Sequence, residues 1–392
     1  MTAKRIGSAT LLVLATIFVI AATFGIWAQR QALNTDNWVA TTTRMLQNEK
    51  IREAVAAALV DRLYDTSAVE ARLQETLPPR LDRLAAPAAA GLKEVALRNA
   101  PRVLGTNAAL TAWETANREA HKVFVDVVEG KVAKNGEVTL NVQNLVRQIA
   151  SGTGLPAGAA DKIPPSVAQI QLLKSDQLAT AQDAVRGFRD AVWLLIVLAV
   201  ACFGGAIALS ADRRRTVVSV GWCLIVAAIA VLALRRVGGT AVEGALADAP
   251  NAHAVAGDIW SIATSLLVDA ALGGFLLGIL VASAAWLAGP GRVATSIRRA
   301  SAPVLRDRPG MARGGLAIAL LLLILWSPVP WTGNVIPVLL VTITAFVWLE
   351  WLRRRTLEEF PDVRADELGR MLRERGWFGR QREAHDDTVP LG

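Results

Sequence analysis

Polar and apolar positions divide the chain into two regimes. Ser8–Ala28 carries no charge, residues 29–188 mix polar and apolar positions at helical spacing, and residues 189–352 are mostly apolar. From Ala191 to Leu209 no charged side chain interrupts the sequence. About 20 such residues span a hydrocarbon core of roughly 30 Å. Trp193 lies near one end of this run, and Asp212-Arg213-Arg214-Arg215 follows the other. An interfacial aromatic and a basic stop are the usual flanks of a membrane span.

The same reading predicts six spans, at 8–28, 189–210, 216–234, 259–288, 314–327 and 335–352. Gly314–Val347 is too long for one crossing at about 1.5 Å per helical residue. Ser327-Pro328-Val329-Pro330-Trp331-Thr332-Gly333-Asn334 breaks it. Ser8–Ala28 reads as an uncleaved anchor, because its apolar core is long and Ile26 occupies the −3 position of the candidate cleavage site. Trp27, Trp193, Trp260, Trp286, Trp326, Trp331, Trp348 and Trp351 fall near span ends, where indoles sit at the lipid interface. The expected organisation is a cytoplasmic N-terminus at 1–7, an extracytoplasmic domain at 29–188, a membrane bundle at 189–352 and a cytoplasmic tail at 353–392.

Within 29–188, Thr35 and Asp36 are N-cap candidates for the helix that follows. NEKIREAVAAALVDRLY places Ile51, Val55, Ala58, Leu59 and Leu63 on one helical face. Further helices are expected over 88–99 and 107–128, the latter burying Leu110, Trp113, His121, Phe124 and Val128. The period then changes. Asn135-Gly136 is a strong hairpin signal, and alternating residues follow it. This predicts a hairpin near 129–142, with Val138–Val142 beside Ile170–Leu172. The fold class is therefore mainly α: a multi-pass helical bundle plus an α-rich extracytoplasmic domain with a small antiparallel β element.

Composition alters this picture little. The chain is 53% hydrophobic and 19% charged, with a formal net charge of +8. The excess is local, in Arg213, Arg214, Arg215, Arg298, Arg299, Arg353, Arg354 and Arg355, beside apolar runs. There it sets orientation and meets lipid headgroups, so a nucleic-acid partner is not indicated. Both termini are expected inside, with an external loop at 237–257, a basic cytoplasmic loop at 289–313 and one amphipathic helix at 364–375 in the tail. Arg235 and Arg236 follow the third span on the expected outside, against this trend. Cys202 and Cys223 both lie in expected spans and read as small apolar packers. The expected extracytoplasmic domain has no cysteine to form a disulfide.

Candidate chemistry is sparse. His121, His253 and His385 are scattered, and no catalytic, metal or cofactor motif is present. Gly152-x-Gly154 lacks the Gly-Lys-Ser/Thr ending of a phosphate loop. Asp269 is the sharpest residue: counted from the start of the fourth expected span it lies roughly 16 Å deep, where a carboxyl is costly. It reads either as an ion-coupling site or as an acid that ties helices together through Ser265. Gly204-Gly205 and Gly274-x-x-x-Gly278 permit close helix approach. Asp258, Glu243 and His253 form the one acidic cluster expected at the membrane boundary.

The Asn37-Trp38 to Leu46 stretch, IREAVAAALVDRLY, Val138-Thr139-Leu140-Asn141, Ile170 to Leu172, and Leu178 to Gln182 carry a resemblance. Over the first 210 residues or so, the chain resembles a family of uncharacterised actinobacterial integral membrane proteins. The resemblance implies location and architecture and transfers no functional residue. The resulting expectation is a non-enzymatic envelope protein that engages an envelope protein or lipid. A transporter or channel subunit using Asp269 is one alternative, and a boundary enzyme acting on a lipid-linked substrate is another.

Overall fold

The structure is a computed structural model, and it describes residues 2–65, 85–131, 138–141, 169–173, 175–246, 250–307, 309–326 and 335–360. These are mainly helical. The helices are α1 (Thr2–Leu33), α2 (Thr35–Gln47), α3 (Glu49–Asp65), α4 (Ala85–Leu104), α5 (Asn107–Val128) and α6 (Ser175–Leu209). They continue as α7 (Arg213–Ala245), α8 (Pro250–Ala263), α9 (Ser265–Leu287), α10 (Arg292–Asp307), α11 (Pro309–Trp326) and α12 (Val335–Glu359).

Four of them, α1, α6, α7 and α9, are long and apolar enough to cross a membrane. At most 28% of their most apolar windows is buried by the rest of the protein. Val13, Ile17, Val200, Trp222 and Val226 stand exposed on them. Water would penalise that surface and lipid does not, which is how a membrane protein differs from a soluble one. α11 and α12 occupy the fifth and sixth expected spans and are helical. The break expected at 327–334 lies outside the described residues, as does the tail helix expected at 364–375.

Several boundaries differ from the sequence reading. The fourth expected span is two helices, α8 and α9, separated at Thr264. The external loop expected at 237–257 is largely helix, because α7 runs on to Ala245. The basic loop expected at 289–313 is also largely helix, in α10 and the start of α11. The cap of α2 is Asn34, whose side chain accepts from the Asn37 amide at 2.9 Å, rather than Thr35 or Asp36.

The small β element does not add to the fold class. Val138–Asn141 (β1) and Gln169–Leu173 (β2) lie antiparallel, with Leu140 opposite Ile170. Two strands alone make no independent layer, and the Asn135-Gly136 hairpin lies outside the described residues.

The described chain divides into two compact units. One comprises residues 20–197 and 230–268. Here α2 packs on α5, α3 on α4, and α8 on both α2 and α3. Its core holds Val39, Leu46, Ile51, Ala56, Val60, Val125, Val127 and Val255. The buried face of α3 is thus Ile51, Ala56 and Val60, while Leu59, expected inside, is exposed. In α5 His121 and Val128 are buried as expected, but Phe124 is 44% exposed.

The other unit comprises residues 1–19, 198–229 and 269–392. There α10 packs on α11 and α12, and α11 on α12. Ser8 Oγ on α1 donates to the Ala206 carbonyl of α6 at 3.1 Å. α7 and α9 meet at glycines: a Cβ on Gly221 would lie 2.7 Å from the Gly278 carbonyl oxygen, and one on Gly278 2.8 Å from that of Gly221. A Cβ on Gly204 or Gly274 would meet nothing within 4 Å. The close approach therefore uses Gly221 with Gly278, not the Gly274-x-x-x-Gly278 pair, and Gly205 packs on Leu11.

Candidate functional site

Where the apolar run of α7 ends, the chain reads Arg235-Arg236-Val237-Gly238-Gly239-Thr240. The two glycines have a packing reason. A Cβ on Gly238 would lie 2.8 Å from the Trp260 ring, and one on Gly239 2.9 Å from it. The glycines form a seat for that indole, and Trp260 Nε1 donates to the Arg235 carbonyl at 3.1 Å. α8 is thereby clamped to α7.

Thr264 completes the clamp. It is fully buried at the break between α8 and α9. Its Oγ1 donates to the Trp260 carbonyl at 2.6 Å and accepts from Arg235 Nε at 2.8 Å. The Leu267 amide bonds the Thr264 carbonyl at 3.1 Å, so the ladder skips Ala263. The freed Ala263 carbonyl accepts from Trp27 Nε1 at 3.2 Å. A helix breaks where side chains replace its ladder, and here neither proline nor glycine is needed.

Beside this clamp lies a cavity of about 440 Å³. Arg235, Arg236, Thr240, Glu243, Trp260 and Ser261 line it. Glu243 folds over Gly257, where a Cβ would lie 2.6 Å from its Oε1. The cavity thus offers two guanidinium groups, two hydroxyls and one carboxylate. Guanidinium forks suit phosphate oxygens, and a carboxylate suits an ammonium group.

The expected boundary cluster does not assemble. Asp258 is held by Lys50 at 3.7 Å and by Asn48 Nδ2 at 3.4 Å. Glu243 lines the cavity instead, and His253 is exposed. No hydrogen bond or ion pair joins Asp258, Glu243 and His253 among the described residues. Asp258 instead fastens α8 to the α2–α3 connection.

Asp269 is also relocated. With α9 starting at Ser265, it lies one turn into the helix, about 6 Å from its start rather than 16 Å. The Ser265 hydroxyl has no hydrogen-bond partner among the described residues, so the expected tie to Asp269 is not made.

His121 belongs to a second cluster, in α5. Its ring stacks on Trp38 with centroids 4.9 Å apart. Nε2 lies 3.2 Å from the Ala32 carbonyl and Nδ1 3.2 Å from Thr35 Oγ1. A carbonyl only accepts, so Nε2 carries the proton and Nδ1 accepts from the threonine. Burial pushes the imidazole pKa down, opposed by the bond to Ala32. His121 clasps the elbow between α1 and α2. Nearby, Glu129 pairs with Lys131 at 2.5 Å and with Arg189. Those partners, Lys131 first, hold its carboxyl below the usual range.

Of the expected interfacial tryptophans, Trp193 and Trp286 stand exposed. Trp27 and Trp260 donate hydrogen bonds within the protein. Trp351 lies under the Arg355 guanidinium at 5.6 Å. The side chains of Trp326 and Trp331 lie outside the described residues. Arg298, expected as a solvated topology charge, is only 2% exposed and pairs with Glu359. Arg299 and Arg354 are exposed. The Arg353 guanidinium pairs with Glu350 at 3.4 Å.

Comparison with known protein families, with curated proteins and with solved structures finds no match to this chain. Thr240, Ser261 and Thr264 went unread in the sequence. The available signal was the arginine pair followed by two glycines, at the end expected to lie outside.

Proposed function

We propose that this is a non-enzymatic membrane protein of the cell envelope, whose helical domain outside the membrane is seated beside a lipid headgroup site. In this reading the chain crosses the bilayer six times, both termini are cytoplasmic and residues 29–188 are extracytoplasmic. The resemblance to actinobacterial membrane proteins implies the same placement. The uncharged run from Thr216 to Leu234 covers about 28 Å at helical rise, close to one hydrocarbon core. Arg213–Arg215 then lies at the inner boundary and Arg235-Arg236 at the outer one.

One observation carries the reading. Arg235 and Arg236 line a cavity with Thr240, Ser261 and Glu243. Arginine at an outer boundary runs against the orientation bias. A phosphate ligand accounts for it, and the carboxylate adds a preference for a headgroup that also carries an amine. The best match is a phosphoethanolamine lipid. Because α8 packs on α2 and α3, the bound headgroup lies at the foot of the helical domain, which presents its outer face to an envelope partner.

Native mass spectrometry of the full chain, in micelles doped with phosphatidylethanolamine or phosphatidic acid, tests this. The wild type retains the amine-bearing lipid preferentially. R235Q/R236Q loses the amine-bearing lipid, and E243Q loses the preference for it over phosphatidic acid. Equal retention by all three proteins contradicts the proposal.

A further inference from the structure

Within the unit that contains residues 198–229 and 269–392, α7, α9 and α12 enclose a groove of about 640 Å³. Its wall is apolar, built from Val217, Leu280, Val281, Ala284 and Val347. The small side chains of Ala284 and Ala285 in α9, and of Ala288 just after it, leave the space. At its mouth stand Arg213 and Arg214 of α7 and Arg355 of α12. Along α9 the lining runs from Ala288 to Leu280, about 12 Å at helical rise, and along α12 from Arg355 to Thr344, about 16 Å. Both lengths are close to half of a roughly 30 Å hydrocarbon core, that is, one leaflet.

Most of the charge at the mouth is uncompensated among the described residues. Arg215 is paired with Asp212 at 3.1 Å, but neither Arg213 nor Arg214 has an acidic partner among the described residues. Arg355 shares Glu359, at 3.3 Å, with the buried Arg298. Among the described residues no carboxylate lines the groove, in contrast to the Glu243 cavity. Deeper in, Trp348 lines the groove.

We propose that this groove is a binding site for an anionic glycerophospholipid. The phosphate sits among Arg213, Arg214 and Arg355, and an acyl chain lies along the apolar wall. Charge selects the lipid class: three guanidinium groups with no facing carboxylate favour net negative charge over a zwitterion. The walls are preorganised, because Arg298 of α10 bonds both the C-terminal end of α9, through the Leu287 and Gly289 carbonyls, and Glu359 of α12.

The test uses the full chain in nanodiscs of phosphatidylcholine doped with phosphatidylglycerol. Lipid retained on the protein is read by native mass spectrometry after release. The wild type is expected to enrich phosphatidylglycerol about tenfold or more over its share of the disc, from roughly 1 kcal/mol per facing arginine. R213Q/R214Q is expected to abolish the enrichment. A284L, which fills the groove and keeps every arginine, is expected to abolish it as well. R235Q/R236Q is expected to leave it intact, which separates this site from the Glu243 cavity. Undiminished enrichment in A284L overturns the groove, even if R213Q/R214Q does not fold. Displacement of the lipid by millimolar inorganic phosphate overturns the acyl contribution and indicates a free-anion site.

Discussion

Arg298 donates to Glu359 Oε2 through both Nε, at 2.9 Å, and Nη2, at 2.7 Å, while its Nη1 reaches the Leu287 and Gly289 carbonyls. Four of its donors are thus used where almost no water reaches. Removing one partner of a buried pair leaves the other charge uncompensated, which typically costs about 3–5 kcal/mol. E359Q keeps the size of the side chain and removes only the charge. We predict a loss of about 3 kcal/mol for E359Q in equilibrium unfolding of the micelle-bound chain, and a similar loss for R298K, which lacks the fork. Unchanged stability in both variants contradicts the assigned role.

Gly221 and Gly278 give a sharper comparison. A Cβ on Gly221 would lie 2.5 Å from the Ala282 nitrogen, and one on Gly274 would meet nothing within 4 Å. G221A is predicted to lower stability by about 1–3 kcal/mol through overpacking. G274A is predicted to be neutral or slightly stabilising, since alanine favours helix over glycine. The same unfolding assay separates them, and equal losses would return the packing role to the Gly274-x-x-x-Gly278 motif.

The break at Thr264 depends on its hydroxyl, which serves Arg235 and Trp260 together. T264V preserves shape and leaves Arg235 Nε without its acceptor. A loss of about 1–3 kcal/mol follows from leaving that donor unmade. Lipid retention at the Arg235 cavity is predicted to fall with it, because the guanidinium is no longer held. T264S is predicted to restore both.

His121 predicts a pH dependence. Its folded pKa lies below the ordinary value of 6.5. An unfolded chain therefore takes up a proton before the folded one does. The His121 contribution to stability is complete above pH 6.5 and declines as pH falls toward the lowered folded value. Glu129, whose folded pKa is also depressed, adds a decline at more acidic pH, as it protonates. H121Q is predicted to flatten the first decline and leave the second, in unfolding curves taken from pH 8 to about 3. The Arg118–Asp36 pair beside the clasp is exposed and contributes little.

Much of this architecture was legible from periodicity. Charge-free runs specify the membrane helices, because lipid imposes one requirement over about 20 consecutive residues. Helix α5 could be read to within its bounds, since its apolar spacing is regular and Thr106 caps it. Other features rest on partners distant in sequence. The break at Thr264 has no local signal and exists because Arg235 and Trp27 reach it from elsewhere in the chain. For that reason Asp269 lies one turn into α9 and not in the middle of one long helix. Arg298 looks like any solvated arginine in its own helix, and its burial follows from Glu359, 61 positions later. The Arg235 cavity was half legible: the arginines were conspicuous, while the glycine seat passed for loop.

The most direct test is to label Thr240→Cys in a chain whose Cys202 and Cys223 are replaced by alanine, using a membrane-impermeant maleimide on intact cells. Thr240 lines the cavity that carries the proposed function. Labelling is expected from outside without permeabilisation, and protection is expected when phosphatidylethanolamine is added to the purified protein. A Ser301→Cys chain, on the opposite expected face, is predicted to label only after permeabilisation. If Thr240→Cys reacts only in permeabilised cells, the Arg235 cavity faces the cytoplasm, and the headgroup site at an outer boundary is contradicted.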